Sequence, residues 1–287
     1  MNTAHNNAPL AAIWMTGTLL SFSVMAIAAR ELSKDFTTFQ ILALRSAIGL
    51  LVITLVVLHL GWHHISLHQL KTHQLRNIAH FLGQFGWFFA IAYIPLAAVF
   101  AIEFTVPLWT MIFAALLLRE RITAHRLLAL GLGIAGVVVI LRPGWEIVHV
   151  AALAMLGGAL AYGLSHTLTK KLAADNSPLC ILFFMMAMQL PLGLIPAAFD
   201  WVTPQLHHWP WLILVGLTGL TAHYCMVRAL ALADASVVIP MDLIRLPLIA
   251  LLGFLLYGEQ VDLLFIVGAG LILSGNLLNL FGERQVR

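Results

Sequence analysis

Residues 96–118 read LAAVFAIEFTVPLWTMIFAALLL: twenty-three residues that are apolar apart from one carboxylate, Glu103, two threonines and a proline, Pro107. At 1.5 Å of rise per residue, about 20 such residues form a helix that crosses ~30 Å of hydrocarbon. Runs of the same kind lie near 10–30, 37–60, 76–94, 124–142, 150–171, 178–199, 209–231, 235–257 and 262–281, so ten spans are expected in 287 residues. The composition agrees, with 61% hydrophobic residues, 9% charged residues and a mean hydropathy of +0.97. A soluble domain carries about 25% charged residues. A water-soluble enzyme, a nucleic-acid-binding domain and a disordered chain are thereby excluded. A β-barrel is excluded too, because the runs are long and lack period-two alternation.

With the N-terminus inside, Lys71, Arg76, Arg119, Arg121, Arg126, Lys170, Lys171, Arg228, Arg284 and Arg287 fall on the inner side, against Arg30, Lys34 and Arg142 outside. This excess predicts two cytoplasmic termini. No Lys or Arg precedes the first span, which therefore reads as a retained span rather than a signal peptide. Cys180 and Cys225 fall inside apolar stretches, so no disulfide framework is expected.

The two halves repeat. Ala11, Ala12, Met15, Gly17, Arg30 and Leu32 recur as Ala151, Ala152, Met155, Gly157, Lys170 and Leu172, an offset of 140. Later the offset is 139, relating Glu120 to Glu259, Gly131 to Gly270 and Gly136 to Gly275. Thr123 relates to Asp262, and both suit the N-cap of a span. The expected division is 1–144 and 145–287, five spans each. Five is odd, so the second half enters the membrane from the opposite face. Inverted repeats place a binding site near the midplane between the halves.

Intramembrane charges are costly and mark function. Glu103 and Asp242 are related by the same offset of 139, so two carboxylates are expected to face one cavity, carrying a proton or balancing a cationic group. Arg45 either neutralises Glu103 or holds a substrate carboxylate. Arg245 either pairs with Asp242 or contacts substrate. Pro107, Pro240 and Pro247 are expected to kink the helices beside the acids, Pro107 freeing the carbonyl of Glu103 and Pro247 that of Leu243. His80, Gln84 and Trp87 share one helix face, Tyr162, Ser165 and His166 another, and His223 is the repeat counterpart of Gln84. These groups are expected to ring a polar pocket with aromatic walls. Trp109 reads as packing. Gly131, Gly136, Gly270 and Gly275 read as close helix contacts. The run His59, His63, His64, His68, His73 has helical spacing but no accompanying carboxylate or Cys, and reads as an interfacial connector without metal.

The stretches Pro107-Leu108-Trp109 to Leu118, Arg119-Glu120-Arg121, Gly131 to Gly136 and Leu141-Arg142-Pro143-Gly144 resemble the EamA domain of the drug/metabolite transporter superfamily. Ala235 to Pro247, with Leu252-Gly253 to Tyr257-Gly258-Glu259, is similar to its C-terminal partner, nearest the subgroup of riboflavin and S-adenosylmethionine carriers. The resemblance implies an all-α membrane protein of ten transmembrane helices in two inverted repeats around a central cavity, in a bacterial inner membrane. It also implies secondary transport of a metabolite without ATP. The expectation is a carrier of a small polar or zwitterionic metabolite working by alternating access, proton-coupled through the paired carboxylates. Lipid surrounds it, and no cofactor and no nucleic acid are expected. Two rivals stand beside it: a membrane protein that binds a ligand or partner but transports nothing, and a haem-binding redox protein using His80, His166 and His223. No nucleophile–base–acid triad or phosphate-cradling loop suggests an enzyme.

Overall fold

The expected spans become helices whose starts are set by local caps. In the computed structural model, residues 7–118, 124–141, 149–232, 238 and 241–284 are described. The helices are α1 (Ala8–Leu32), α2 (Thr38–Leu60), α3 (Leu70–Tyr93), α4 (Leu96–Glu103), α5 (Val106–Leu118) and α6 (Ala124–Leu141) in the first half. In the second half they are α7 (Val150–Leu172), α8 (Pro178–Ala197), α9 (Trp209–Leu232), α10 (Arg245–Tyr257) and α11 (Leu263–Arg284). Asn7, Thr37 and Ser177 accept the backbone N–H three residues on, at 3.2, 3.3 and 3.1 Å, satisfying donors that a helix start leaves free. Asp262 does the same for Phe265 at 2.7 Å, as its sequence suggested; its counterpart Thr123 lies outside the described residues.

Three expectations need adjustment. Residues 96–118 are one pass but two helices, interrupted at Phe104 and Thr105. Pro107 lacks an amide hydrogen, and the chain instead turns through a Thr105 N–H bond to the Ile102 carbonyl at 3.0 Å. Asn276, buried on α11, donates to the Phe104 carbonyl at 2.7 Å and so satisfies the opened backbone. Similarly, α10 begins only at Arg245, after a turn at Leu243 and Ile244. There the Leu243 carbonyl is not left free, because Leu246 N–H donates to it at 3.2 Å. Pro240 lies outside the described residues. Finally, α3 starts at Leu70, six residues early, which moves Arg76 from the expected start of the span into its second turn. Its guanidinium is buried, donating to Thr169 Oγ1 at 2.9 Å and Asn77 Oδ1 at 2.8 Å.

The chain is an all-α membrane protein. Among the described residues, five helical segments are long and apolar enough to cross a membrane: 9–32, 38–60, 96–118, 150–172 and 178–200. α3 and α9 are equally long, and α3 buries His73, Arg76, Asn77, His80 and Gln84 inside the bundle. Outward faces are apolar, with Leu51, Leu55 and Leu58 on α2 and Leu251, Phe254 and Leu255 on α10 exposed for lipid.

Helix pairing repeats between the halves. α1 packs on α9 and α3 on α7, and each pair becomes the other when the halves are exchanged. α2 on α8 and α6 on α11 each map onto themselves. The α6–α11 contact is symmetric down to single residues. A methyl on Gly136 would stand 2.5 Å from the Gly268 carbonyl oxygen, and one on Gly275 would stand 2.7 Å from the Ala129 oxygen. Gly131 and Gly270, expected at this contact, have open space beside them, so the small-residue seam runs on the other face.

Candidate functional site

The helix breaks put chemistry midway along the helix bundle. A cavity of about 600 Å³ lies between the halves, a size that suits a cofactor-like molecule. Glu103 and Asp242 both line it, from opposite halves. They do not face each other bare. The Arg245 Nη2 atom stands 3.3 Å from Glu103 Oε1 and 3.3 Å from Asp242 Oδ2, so a single guanidinium bridges the two carboxylates. Trp87 Nε1–H donates to the other Glu103 oxygen at 2.8 Å. The Arg245 guanidinium is also walled by rings, with its Cζ 4.6 Å from the Phe22 centroid, 5.1 Å from Phe100 and 5.2 Å from Phe104. Cation–π attraction of this kind holds a desolvated guanidinium in place.

Arg45 lines the cavity but does not pair with Glu103, whose oxygens are taken by Arg245 and Trp87. The physical reason is placement. Arg45 comes from α2 and its Nη2 leans on Gly219 of α9, whereas the turn before α10 delivers Arg245 directly between the acids.

Most of the other expected residues also reach the cavity: His80 and Gln84 from α3, Tyr162 and His166 from α7, His223 from α9; Ser165, expected on the face of Tyr162 and His166, is fully buried and does not line it. His80 Nδ1 is 2.9 Å from Gln189 Nε2 of α8, and its ring meets Tyr162 edge to face at 5.4 Å. Tyr162 in turn stacks on His166 at 6.1 Å. His223 Nδ1–H donates to the Gly219 carbonyl at 2.8 Å, which leaves Nε2 as the nitrogen available to a ligand. Of the kink prolines, Pro107 lines the cavity and Pro247 does not. Trp109 is partly buried against the core, with its Nε1–H donating to Thr105 Oγ1 at 3.2 Å.

Several lining groups escaped the sequence reading. Phe22, Phe88 and Phe104 complete the aromatic wall, and Thr110, Thr167 and Lys170 add polarity toward one end. Aromatic residues in an apolar span carry no distinguishing mark, so only the packing reveals them. The histidine run stays apart from the cavity: His59, His63 and His68 are exposed, and buried His73 lies 3.5 Å from Asn176 Oδ1. Elsewhere, Asp35, His207 and His208 approach closely enough to share a cation. Both His208 nitrogens are engaged, though, Nδ1 by the Gln205 N–H at 2.9 Å and Nε2 by Asp35 at 3.3 Å, so the cluster already has a structural explanation.

At the end of the bundle away from Lys170 the two halves are tied together by a cluster of polar contacts. Arg30 Nη2 contacts Glu259 Oε1 at 2.9 Å and the Ile94 carbonyl at 2.7 Å, while Glu259 Oε2 accepts the Leu96 N–H at 2.8 Å. Tyr257 donates to Glu31 at 3.0 Å beside this clasp. Beneath it Leu32, Ile91, Leu96 and Phe100 are fully buried.

Comparison with known proteins matches both halves to one family model, described as EamA-like transporter family, over residues 9–142 and 149–281. The chain is 23% identical to an S-adenosylmethionine uptake transporter of Rickettsia bellii, over 99% of this chain and 98% of that protein. It is 30% identical to a riboflavin transporter of Vibrio cholerae, over 86% and 85%. It is 28% identical to the pseudopaline exporter CntI of Pseudomonas aeruginosa, over 88% and 89%. A protein solved by crystallography shares the fold with a TM-score of 0.65, at 20% identity, over 96% of this chain and 98% of that one.

Proposed function

The chain belongs to the EamA-like transporter family and is a membrane transporter of a small metabolite; from this premise we propose that it works by alternating access around the central cavity, coupled to protons through Glu103 and Asp242. The proposal divides the chain into repeats 1–144 and 145–287, with both termini in the cytoplasm. Arg245 is the observation that carries it. One guanidinium holds a carboxylate from each half, so the charge state of either acid bears on how the halves sit together. When both acids are ionised, the cluster has one negative charge in excess. Protonating one acid balances it. A cationic group on the substrate does the same, so proton and substrate compete for one site, which is what exchange requires. The interruption at Phe104 and Thr105 beside Glu103, and the turn before Arg245, supply backbone that repacks more readily than a continuous helix.

S-adenosylmethionine and riboflavin, named for the relatives, are the substrates to try first. Trp87, Tyr162 and the three phenylalanines supply faces for a fused ring. Reconstituted in liposomes, the protein is expected to exchange at least one of them by counterflow and to accumulate it under a pH gradient. Glu103→Gln and Asp242→Asn are expected to lose the pH-driven accumulation. Retention of both accumulation and pH dependence in the two variants would remove the proton from the mechanism.

A further inference from the structure

Arg45 poses a problem that the carrier scheme leaves open. The residue is 97% shielded from solvent and sits within α2 on the cavity wall. Neither Nε nor Nη1 has a hydrogen-bond partner, and no carboxylate among the described residues pairs with the guanidinium. Around this corner the cavity is lined by Tyr162, His80, His166 and His223, none of them a carboxylate, and Arg76, buried on α3 beside His80, adds a second positive charge nearby rather than a counter-charge. An ion buried without a counter-charge is strongly disfavoured unless something supplies one. The second half offers no equivalent: the repeat offsets carry position 45 to Phe184 and Met185. The cation is therefore not part of the duplicated framework.

Resting on the carrier reading, we infer that Arg45 is the seat of a ligand carboxylate, opposite the acid pair that receives the ligand's cationic end. The charge count selects a carboxylate over a phosphate. Arg245 is committed to Glu103 and Asp242, Arg76 donates to Thr169 and Asn77 and does not line the cavity, and Lys170 stands at the cavity's end on the last turn of α7, so Arg45 is the cation that this corner presents to a ligand, enough for a monoanion and short for a phosphate dianion. His223 Nε2 lies on the same wall and adds a neighbouring polar contact. Gly219 fixes the position. A methyl there would come 2.7 Å from Arg45 Nη2 and push the guanidinium aside without removing its charge.

The test uses purified full-length protein in detergent, melted with methionine and S-adenosylhomocysteine, with the methyl ester of each, and with flavin mononucleotide. At least one free carboxylate is expected to raise the melting temperature by several degrees while its ester does not, because only a ligand bound to the folded state stabilises it. Arg45→Met is expected to abolish that shift yet melt, without ligand, no lower than the parent. Gly219→Ala is expected to fold normally and keep only part of the shift. The inference is overturned by stabilisation from esters alone, from flavin mononucleotide alone or from no compound. It is equally overturned by a shift surviving in Arg45→Met, or by a ligand-free Arg45→Met that melts well below the parent, which would make Arg45 structural. Binding without counterflow would instead sink the carrier reading and leave this site standing.

Discussion

Arg245 is where single-residue chemistry is most exposed to test. It is 4% exposed and holds two carboxylates, so removing it leaves two like charges in one largely buried site. Arg245→Met is expected to cost about 3–5 kcal/mol, the usual penalty for orphaning a buried charge. It should appear as a large drop in melting temperature, with Glu103→Gln in the same chain restoring part of it. An Arg245→Met protein as stable as the parent would mean that the bridge does not exist in the membrane. A gentler probe is Trp87→Phe, which keeps the ring and removes the 2.8 Å bond to Glu103. A hydrogen bond to a charged group contributes about 1.5–3 kcal/mol, so a smaller loss of stability and altered pH dependence of transport are expected. The two acids were legible in sequence because they repeat at an offset of 139. The choice between Arg45 and Arg245 as their partner was not, since it depends on distances between helices far apart in the chain. The i, i+3 spacing of Asp242 and Arg245 permitted that one pairing, but nothing in sequence joined Glu103 to it.

At the scale of elements, proline told where a helix stops but not what repairs the stop. The break after Glu103 is satisfied from α11 by Asn276, a residue that reads in sequence as one more polar group near a helix end. Asn276→Leu is expected to leave the Phe104 carbonyl unpaired inside the bundle, at about 1–3 kcal/mol, and to lower the melting temperature accordingly. No change in melting would place the repair elsewhere. Glycine was half legible in the same way. Four glycines looked like contacts, yet only Gly136 and Gly275 touch backbone across α6 and α11. Helical periodicity identifies a small-residue stripe but not which side of it meets a neighbour. Gly136→Ala and Gly275→Ala are therefore expected to destabilise by about 1–3 kcal/mol, because the opposing atoms are main-chain oxygens that cannot swing away. Gly131→Ala and Gly270→Ala have open space and should be neutral, or stabilising by up to about 1 kcal/mol through helix propensity. Equal losses in all four would refute the symmetric seam.

For the whole molecule the decisive fact is that the two ends of the cavity differ. Its lining runs from the acid pair down α5 and α7 to Ala114 and Lys170, whereas at the other end Arg30, Glu259 and the start of α4 are tied together outside the lining. The Arg30–Glu259 pair is only 17% and 10% exposed, so it is shielded enough to outlast a surface ion pair, which contributes ~0–1 kcal/mol. The clasp joins the end of α1 to the segment after α10 and to the backbone at Leu96, one element from each side of the pseudo-symmetric bundle. Substrate that enters beside Lys170 must leave past this clasp if access alternates. A protein carrying Arg30→Cys and Glu259→Cys, bridged through two disulfides by a short bis-methanethiosulfonate, is therefore expected to keep an open cavity at the Lys170 end. An added Ala114→Cys should still react there with a small permeant-excluded thiol label. Counterflow should fall to background while the bridge is intact and return on reduction. Full exchange with the bridge closed would show that substrate crosses by a route the clasp does not gate, and alternating access around this cavity would have to be abandoned.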